Sequence, residues 1–166
     1  MTKAQESEPT ACPVARSQEL VGDRWTVLVL RELFMGNGRF DDLQTQSEAT
    51  PQMLASRLKK LEAAGLVERR PYSSRPLRHE YVLTDMGQDF YPVILALRAW
   101  GEKWCKGPKE GVAVKYTHIP CGKDPGLGTV CQHCGLELKR SELISRPSAR
   151  YEQERRDRAA ARATSS

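Results

Sequence analysis

TPQMLASRLKKLEAAGLVERRPYSSRPLRHEYVL, residues 50–83, is the stretch whose reading decides the fold. Thr50 suits an N-cap, where its hydroxyl accepts from a free N–H of the first turn. Pro51 suits the first helical position, where the N–H it lacks would have no partner. The spacing predicts a helix from there. Leu54, Leu58 and Leu61 recur at i, i+4, i+7 as one apolar stripe, and Gln52, Ser56, Lys59, Lys60 and Ala63 fall on the opposite side. Gly65 supplies the left-handed residue that ends a helix, and the alternation over residues 66–70 predicts a short strand. Residues 71–78 read as a polar turn, after which residues 79–83 alternate again and return antiparallel.

Charge concentrates in the same place. Residues 50–82 hold seven Lys/Arg against three acids, a balance of +4 in a chain whose total is +5. A helix with a polar, hydrogen-bonding face beside a cationic hairpin fits a duplex, with the helix in the major groove and the hairpin along the phosphates. An amphipathic surface helix beside a solvated hairpin has the same pattern, and this segment alone leaves both readings open.

Outward from that stretch, residues 1–11 show no periodicity and are expected to be flexible. Cys12 precedes Pro13, which opens a first helix, so its thiol sits at the N-cap with Arg16 one turn on. A helix N-terminus and a guanidinium both favour the reactive thiolate; a small space-filling cysteine is the competing reading. Residues 25–34, WTVLVLRELF, are apolar nearly all round and form the core helix. Phe40 and Leu43 mark a third short helix, which makes the residue 50 helix the second member of a helix-turn-helix pair. Phe40, Leu43, Leu54, Leu58, Leu61, Val67, Tyr81 and Leu83 are expected to close over the core helix. The order is that of a winged helix-turn-helix: mainly α, with a small β-wing.

Thr84 caps a further helix, residues 85–106, with Pro92 kinking its first turns. Phe90, Ile94, Leu97, Trp100 and Trp104 present more apolar surface than a small domain buries, which points to a partner surface, most simply the same helix of a second subunit.

These blocks resemble the HxlR family of bacterial winged-helix transcriptional regulators. The resemblance covers residues 12–104 and rests on CPVARSQELVGDRWTVLVLRELF, GRFDDL, SRLKKLEAAGLVERR, RHEYVLT and LRAWGEKW in family order. It implies a homodimer with its terminal helices packed across a two-fold axis, residues 50–64 in the major groove and residues 72–78 on the DNA backbone. Within that frame Gln52, Met53 and Ser56 are assigned to base edges, and Arg57, Lys59, Lys60, Arg75 and Arg78 to phosphates. Some relatives use a cysteine at the start of the first helix as a redox or electrophile sensor, and Cys12 occupies that place.

After residue 106 the chain changes character. His118-Ile-Pro-Cys121-Gly and Cys131-Gln-His-Cys134-Gly each place two ligand types three apart before a glycine, the layout of a turn that aims both side chains at one metal. His118, Cys121, Cys131 and Cys134 make a Cys3His set suited to tetrahedral zinc in a closed structural site, with His133 as the alternate fourth ligand. A Cys131 to Cys134 or Cys121 to Cys131 disulfide, free thiols and a relic site remain as alternatives. Residues 107–140 are therefore assigned to a zinc-ribbon-like appendage. Residues 141–166, highly charged and without an apolar stripe, are expected to be disordered.

No run approaches the roughly 20 apolar residues a membrane span needs, and the polar N-terminus does not read as a secretory signal, so a cytoplasmic location is expected. No Ser/His/Asp grouping, phosphate loop or paired-carboxylate site appears, so no enzymatic activity is expected. The reading is a dimeric, sequence-specific regulator of transcription, a repressor by family analogy. It needs no cofactor to bind double-stranded DNA, carries a structural Zn2+ in its tail, and answers to an oxidant through Cys12. A small-molecule effector without thiol sensing is the alternative, and a zinc or thiol protein that does not act on DNA is the more distant one.

Overall fold

A computed structural model describes residues 10–164; the expectation for the N-terminal segment falls almost wholly on residues outside it. Three helices precede the decisive stretch: α1 (Pro13–Val21), α2 (Arg24–Phe34) and α3 (Phe40–Ser47). Asp23 caps α2 by accepting from the N–H groups of Trp25 and Thr26, both at 3.0 Å. Then come α4 (Pro51–Ala63) and an antiparallel hairpin of β1 (Val67–Ser74) and β2 (Leu77–Leu83). Thr50 Oγ1 accepts from Met53 N at 3.3 Å, as its N-cap position predicts. The hairpin is longer than the alternation suggests. Its strands run through the expected turn to Ser74 and resume at Leu77, with an irregularity at Tyr72 between Pro71 and Ser73.

The expected core residues do close over α2. Leu30, Leu43, Leu54 and Leu58 are fully buried together with Val29, and Phe40, Tyr81 and Leu83 pack against them. Two glycines fix how the hairpin joins the helices. Gly38 lies so close to the Tyr81 carbonyl that a Cβ there would collide with it, and Tyr81 N donates back to Gly38 O at 2.8 Å. Gly65, with φ +76°, turns the chain from α4 into β1.

The predicted helix over residues 85–106 divides in two: α5 (Asp85–Gln88) and α6 (Tyr91–Trp104). Pro92 occupies the first turn of α6, where its missing N–H costs nothing, so the chain breaks before it instead of kinking around it. Beyond α6, β3 (Val114–His118) pairs antiparallel with β4 (Leu143–Pro147), and α7 (Ala149–Ala163) follows. A second apolar cluster joins Phe34 of α2 and Tyr91 and Leu95 of α6 to Cys131, Leu138 and Leu143. The appendage is thus keyed into the winged domain by burial.

The expectation of disorder beyond residue 141 is corrected. Residues 143–147 complete the second sheet, and α7 packs on α3. What holds α7 is ionic. Arg155 forks onto Glu32 of α2, Nη1 to Oε1 at 2.9 Å and Nη2 to Oε2 at 2.7 Å, and Glu32 is 0% exposed. Arg162 bonds the carboxylate and carbonyl of Asp41, and Gln46 donates to the Arg155 carbonyl.

Candidate nucleic-acid interface and cysteine-histidine cluster

On α4 the inward stripe leaves Gln52, Ser56, Lys59 and Lys60 exposed. Met53, assigned to a base edge, is half-buried and packs against the core. Two of the assigned cations are engaged by their own chain. Arg57 Nε lies 3.2 Å from Asp23 Oδ1, and the Lys60 ammonium donates to the Glu19 carbonyl. Arg75 and Arg78 are exposed on the wing, and Lys59 is exposed on the helix. Arg39, which the sequence reading passed over, stacks 4.7 Å from the Tyr72 ring and steadies the wing where its pairing is irregular. The helix and the wing that follows it thus each leave hydrogen-bonding or cationic groups exposed.

Of the five residues assigned to a dimer face, α6 splits the set. Phe90 and Ile94 point inward and pack against both clusters. Leu97, Trp100 and Trp104 are 47%, 60% and 65% exposed, a continuous apolar strip along the other side. Periodicity counted all five as one face because it does not register that the appendage covers part of the helix. Cys105 follows, exposed.

Cys12 is the N-cap of α1, as expected, and it is exposed, which tells against the space-filling reading; the Arg16 guanidinium donates to the Thr10 carbonyl.

The tail brings its four ligand types together. One donor atom from each of His118, Cys121, Cys131 and Cys134 lies within 4.8 Å of the others, so the cluster could hold a metal ion. Tetrahedral zinc at its usual bond lengths sets S···S edges of about 3.8 Å and S···N edges of about 3.6 Å. Cys121 Sγ is 3.7 Å from Cys131 Sγ, and Cys121 and Cys134 Sγ are 3.5 and 3.4 Å from His118 Nδ1. These separations fit a tetrahedron and are far beyond a disulfide bond of about 2.05 Å. Both turns use the expected glycines: Gly122 and Gly135 have φ +69° and +71°, and their N–H groups return to His118 O and Cys131 O. His118 is buried, and its Nε2, without a hydrogen-bond partner, faces Glu142 Oε2 at 3.9 Å. That carboxylate could orient the ring with Nδ1 toward a metal. Burial pushes the Cys131 thiol up, but hydrogen bonds from the backbone N–H groups of His133 and Cys134 and from neighbouring thiols outweigh it and hold the group at about 6. His133, the alternate ligand, is exposed and outside the cluster.

With this geometry in place, comparison with known proteins gives the family. The sequence pattern of the HxlR-like helix-turn-helix family matches residues 20–109. The chain belongs to that family. An uncharacterized HTH-type transcriptional regulator of Mycobacterium tuberculosis, Rv3095, is 42% identical over 134 residues, 81% of this chain and 84% of its own. Among solved structures, PA1607 is similar with a TM-score of 0.65 and 31% identity, over 84% of this chain and 96% of its own. The redox regulator HypR in its reduced form is similar with a TM-score of 0.51 and 31% identity, over 55% of this chain and 92% of its own. The HypR likeness is thus confined to about half of this chain, whereas the PA1607 likeness extends well beyond that share. This HxlR-like chain is therefore a winged-helix protein of a transcriptional regulator family. No helix among the described residues is long and apolar enough to cross a membrane.

Proposed function

We propose that this protein is a homodimeric, sequence-specific DNA-binding repressor. The observation that carries the reading is the exposed face of α4, with Gln52 and Ser56 near its N-terminus, beside a wing whose Arg75 and Arg78 are exposed. Gln52 and Ser56 read base edges in the major groove, and Met53, held by the core, touches at most a thymine methyl. Lys59, Arg75 and Arg78 hold phosphates; Arg57 and Lys60 first position α4 through Asp23 and Glu19. The strip of Leu97, Trp100 and Trp104 packs against its symmetry mate, which sets the spacing of two recognition helices.

A structural Zn2+ on His118, Cys121, Cys131 and Cys134 completes the tail, and DNA binding itself uses no cofactor. Exposed Cys12 at the start of α1 is the oxidant-sensitive thiol; the support is its placement together with the likeness to HypR, which is itself a redox regulator. The protein acts in the cytoplasm.

The test is a selection of duplexes by the purified full chain from a random pool, followed by fluorescence anisotropy of a selected and a scrambled duplex at several salt concentrations. Tight binding to the selected duplex and a steep salt slope for both are expected. Equal affinity for both sequences ends the specific-regulator reading. A Cys12→Ser protein that releases DNA under diamide as the unmodified chain does ends the sensor reading and leaves the rest standing.

A further inference from the structure

A cleft of about 330 Å³ lies where α2, α6, the β3–β4 sheet and α7 meet. That is the size range of small-molecule sites. Val27, Leu28, Phe34, Ile94 and Leu97 give it apolar walls. The charged groups of the lining are unbalanced. Glu102 is taken by Lys106 at 2.8 Å and by the Ala113 N–H at 2.9 Å, and Arg31 by Glu32. Arg98 and Arg140 have no carboxylate within salt-bridge distance among the described residues: Arg98 donates to the Val114 and Gly126 carbonyls, Arg140 to those of Phe34 and Leu143. The hydroxyl of Tyr91, 3% exposed, makes no hydrogen bond of ordinary geometry, its neighbour of that kind being Tyr116, and the buried Nε of Arg98 has no partner. Burial, reinforced by the adjacent Tyr116, holds the Tyr91 phenol well above its ordinary range, so it remains a donor. Arg98 is stacked on Tyr116 and feels only at a distance the charge of Glu102, which Lys106 already pairs. Two fixed guanidinium groups in no ion pair and two donors without a well-formed bond beside an apolar cleft make a site selective for an anionic head on a hydrophobic body.

We propose that this cleft binds a small hydrophobic carboxylate, its head against Arg98, Arg140 and the Tyr91 hydroxyl and its body between α2 and α6. Occupancy ties α6, which carries the exposed Leu97 and Trp100 strip, to the core helix, and so alters the spacing of the two recognition helices; that effector role rests on the DNA-binding reading, and the site itself does not.

The probe is 2-naphthoate, titrated calorimetrically into the full chain, with 2-naphthamide and inorganic phosphate as controls. One naphthoate per chain is expected, with the amide at least tenfold weaker and phosphate not bound. Tyr91→Phe, which removes only the hydroxyl, lowers naphthoate affinity about fivefold at an unchanged melting temperature. Val27→Trp, which fills the cleft, abolishes binding. Equal binding of acid and amide, or naphthoate binding that survives both substitutions, overturns the site. If naphthoate binds as described but leaves affinity for the selected duplex unchanged, the effector role falls and the site stands; failure of all duplex binding tells against the regulator reading alone.

Discussion

The winged domain and the C-terminal appendage are built on opposite principles. From Pro13 to Leu83 the fold is held by one apolar cluster in which leucines from α2, α3 and α4 are fully buried, and its polar groups serve mainly as caps. From residue 107 on, few large apolar side chains are buried. What is found there instead is a cluster of four metal-type ligands, a five-residue strand pair and an ionic seam between α7 and the winged domain. A domain of the first kind is legible in periodicity. One of the second kind is legible only where its chemistry has a fixed local spacing, and it depends on conditions that leave the first untouched.

Metal removal should break this contrast most visibly. In small zinc-dependent units, metal binding is worth about 10–16 kcal/mol and is in effect the folding energy. The full chain treated with a strong chelator, or carrying Cys134→Ser, is expected to lose zinc, become protease-sensitive within residues 107–147 and show a separate low-temperature transition. The winged domain should retain its own melting transition. Elemental analysis with limited proteolysis decides it. A chain purified without metal that resists cleavage in this segment would show that apolar contacts suffice there.

The seam comes next in size. Glu32 sits inside α2 at 0% exposure, and one buried pair holds α7 to it. Removing one partner of a buried ion pair costs about 3–5 kcal/mol, because the other charge stays behind. Arg31 and Asn37 also contact Glu32, so Arg155→Met should fall at the lower end of that range. The pair also predicts a pH dependence. Burial raises the Glu32 carboxyl, but the Arg155 hydrogen bond and the charges of Arg31 and Arg155 outweigh it and leave it below its ordinary 4.5. A carboxyl depressed in the folded state binds fewer protons there than in the unfolded chain. Its contribution is therefore complete above about pH 4.5 and is lost as pH falls through the lower folded value. The stability gap between the unmodified chain and Glu32→Gln should be widest near about pH 7 and narrow as pH falls below the ordinary 4.5 toward the lower folded value. A gap independent of pH would mean that the pair is not ionised as described.

This seam also marks where sequence reasoning stopped. The helix-turn-helix, its caps and the wing were readable because each signal is local: Thr50 with Pro51, leucines at helical spacing, a glycine between helix and strand. The convergence of His118, Cys121, Cys131 and Cys134 was readable for the same reason, since two ligand types three apart before a glycine describe a turn. In α7 the anchors are Arg155 and Arg162, whose partners Glu32 and Asp41 lie more than a hundred residues earlier. A helix with no apolar stripe looks solvated when those partners are unknown. The same gap bears on Phe90 and Ile94, which were expected at a dimer face: both are partly buried, and one of the two clusters they pack against is completed by Cys131, Leu138 and Leu143 of the appendage.

Within the winged domain, two substitutions sharpen the division between reading bases and holding phosphates. Gln52→Ala is expected to cost about 1–3 kcal/mol at one base position and little elsewhere, whereas Arg75→Ala should weaken binding to every duplex and reduce the salt slope by about one. Anisotropy on single-position variants of the selected duplex separates them. If both variants lost affinity uniformly across sequences, Gln52 would be no reader.

The smallest effect tests whether a cation on α4 belongs to the DNA or to the fold. Arg57 lies on the recognition helix, yet its Nε is 3.2 Å from the carboxylate that caps α2, and the side chain is only 28% exposed. A partly exposed pair of this kind contributes about 0.2–1 kcal/mol, and Asp23 keeps its bonds to Trp25 and Thr26 without it. Arg57→Ala should therefore lower stability by less than about 1 kcal/mol and, if the guanidinium stays with Asp23 on the duplex, reduce the salt slope by clearly less than Arg75→Ala does. A full unit of slope lost at Arg57 would mean that the side chain leaves Asp23 for a phosphate. The cap of the core helix would then be coupled to DNA, and the self-contained domain would also have a seam that responds to its partner.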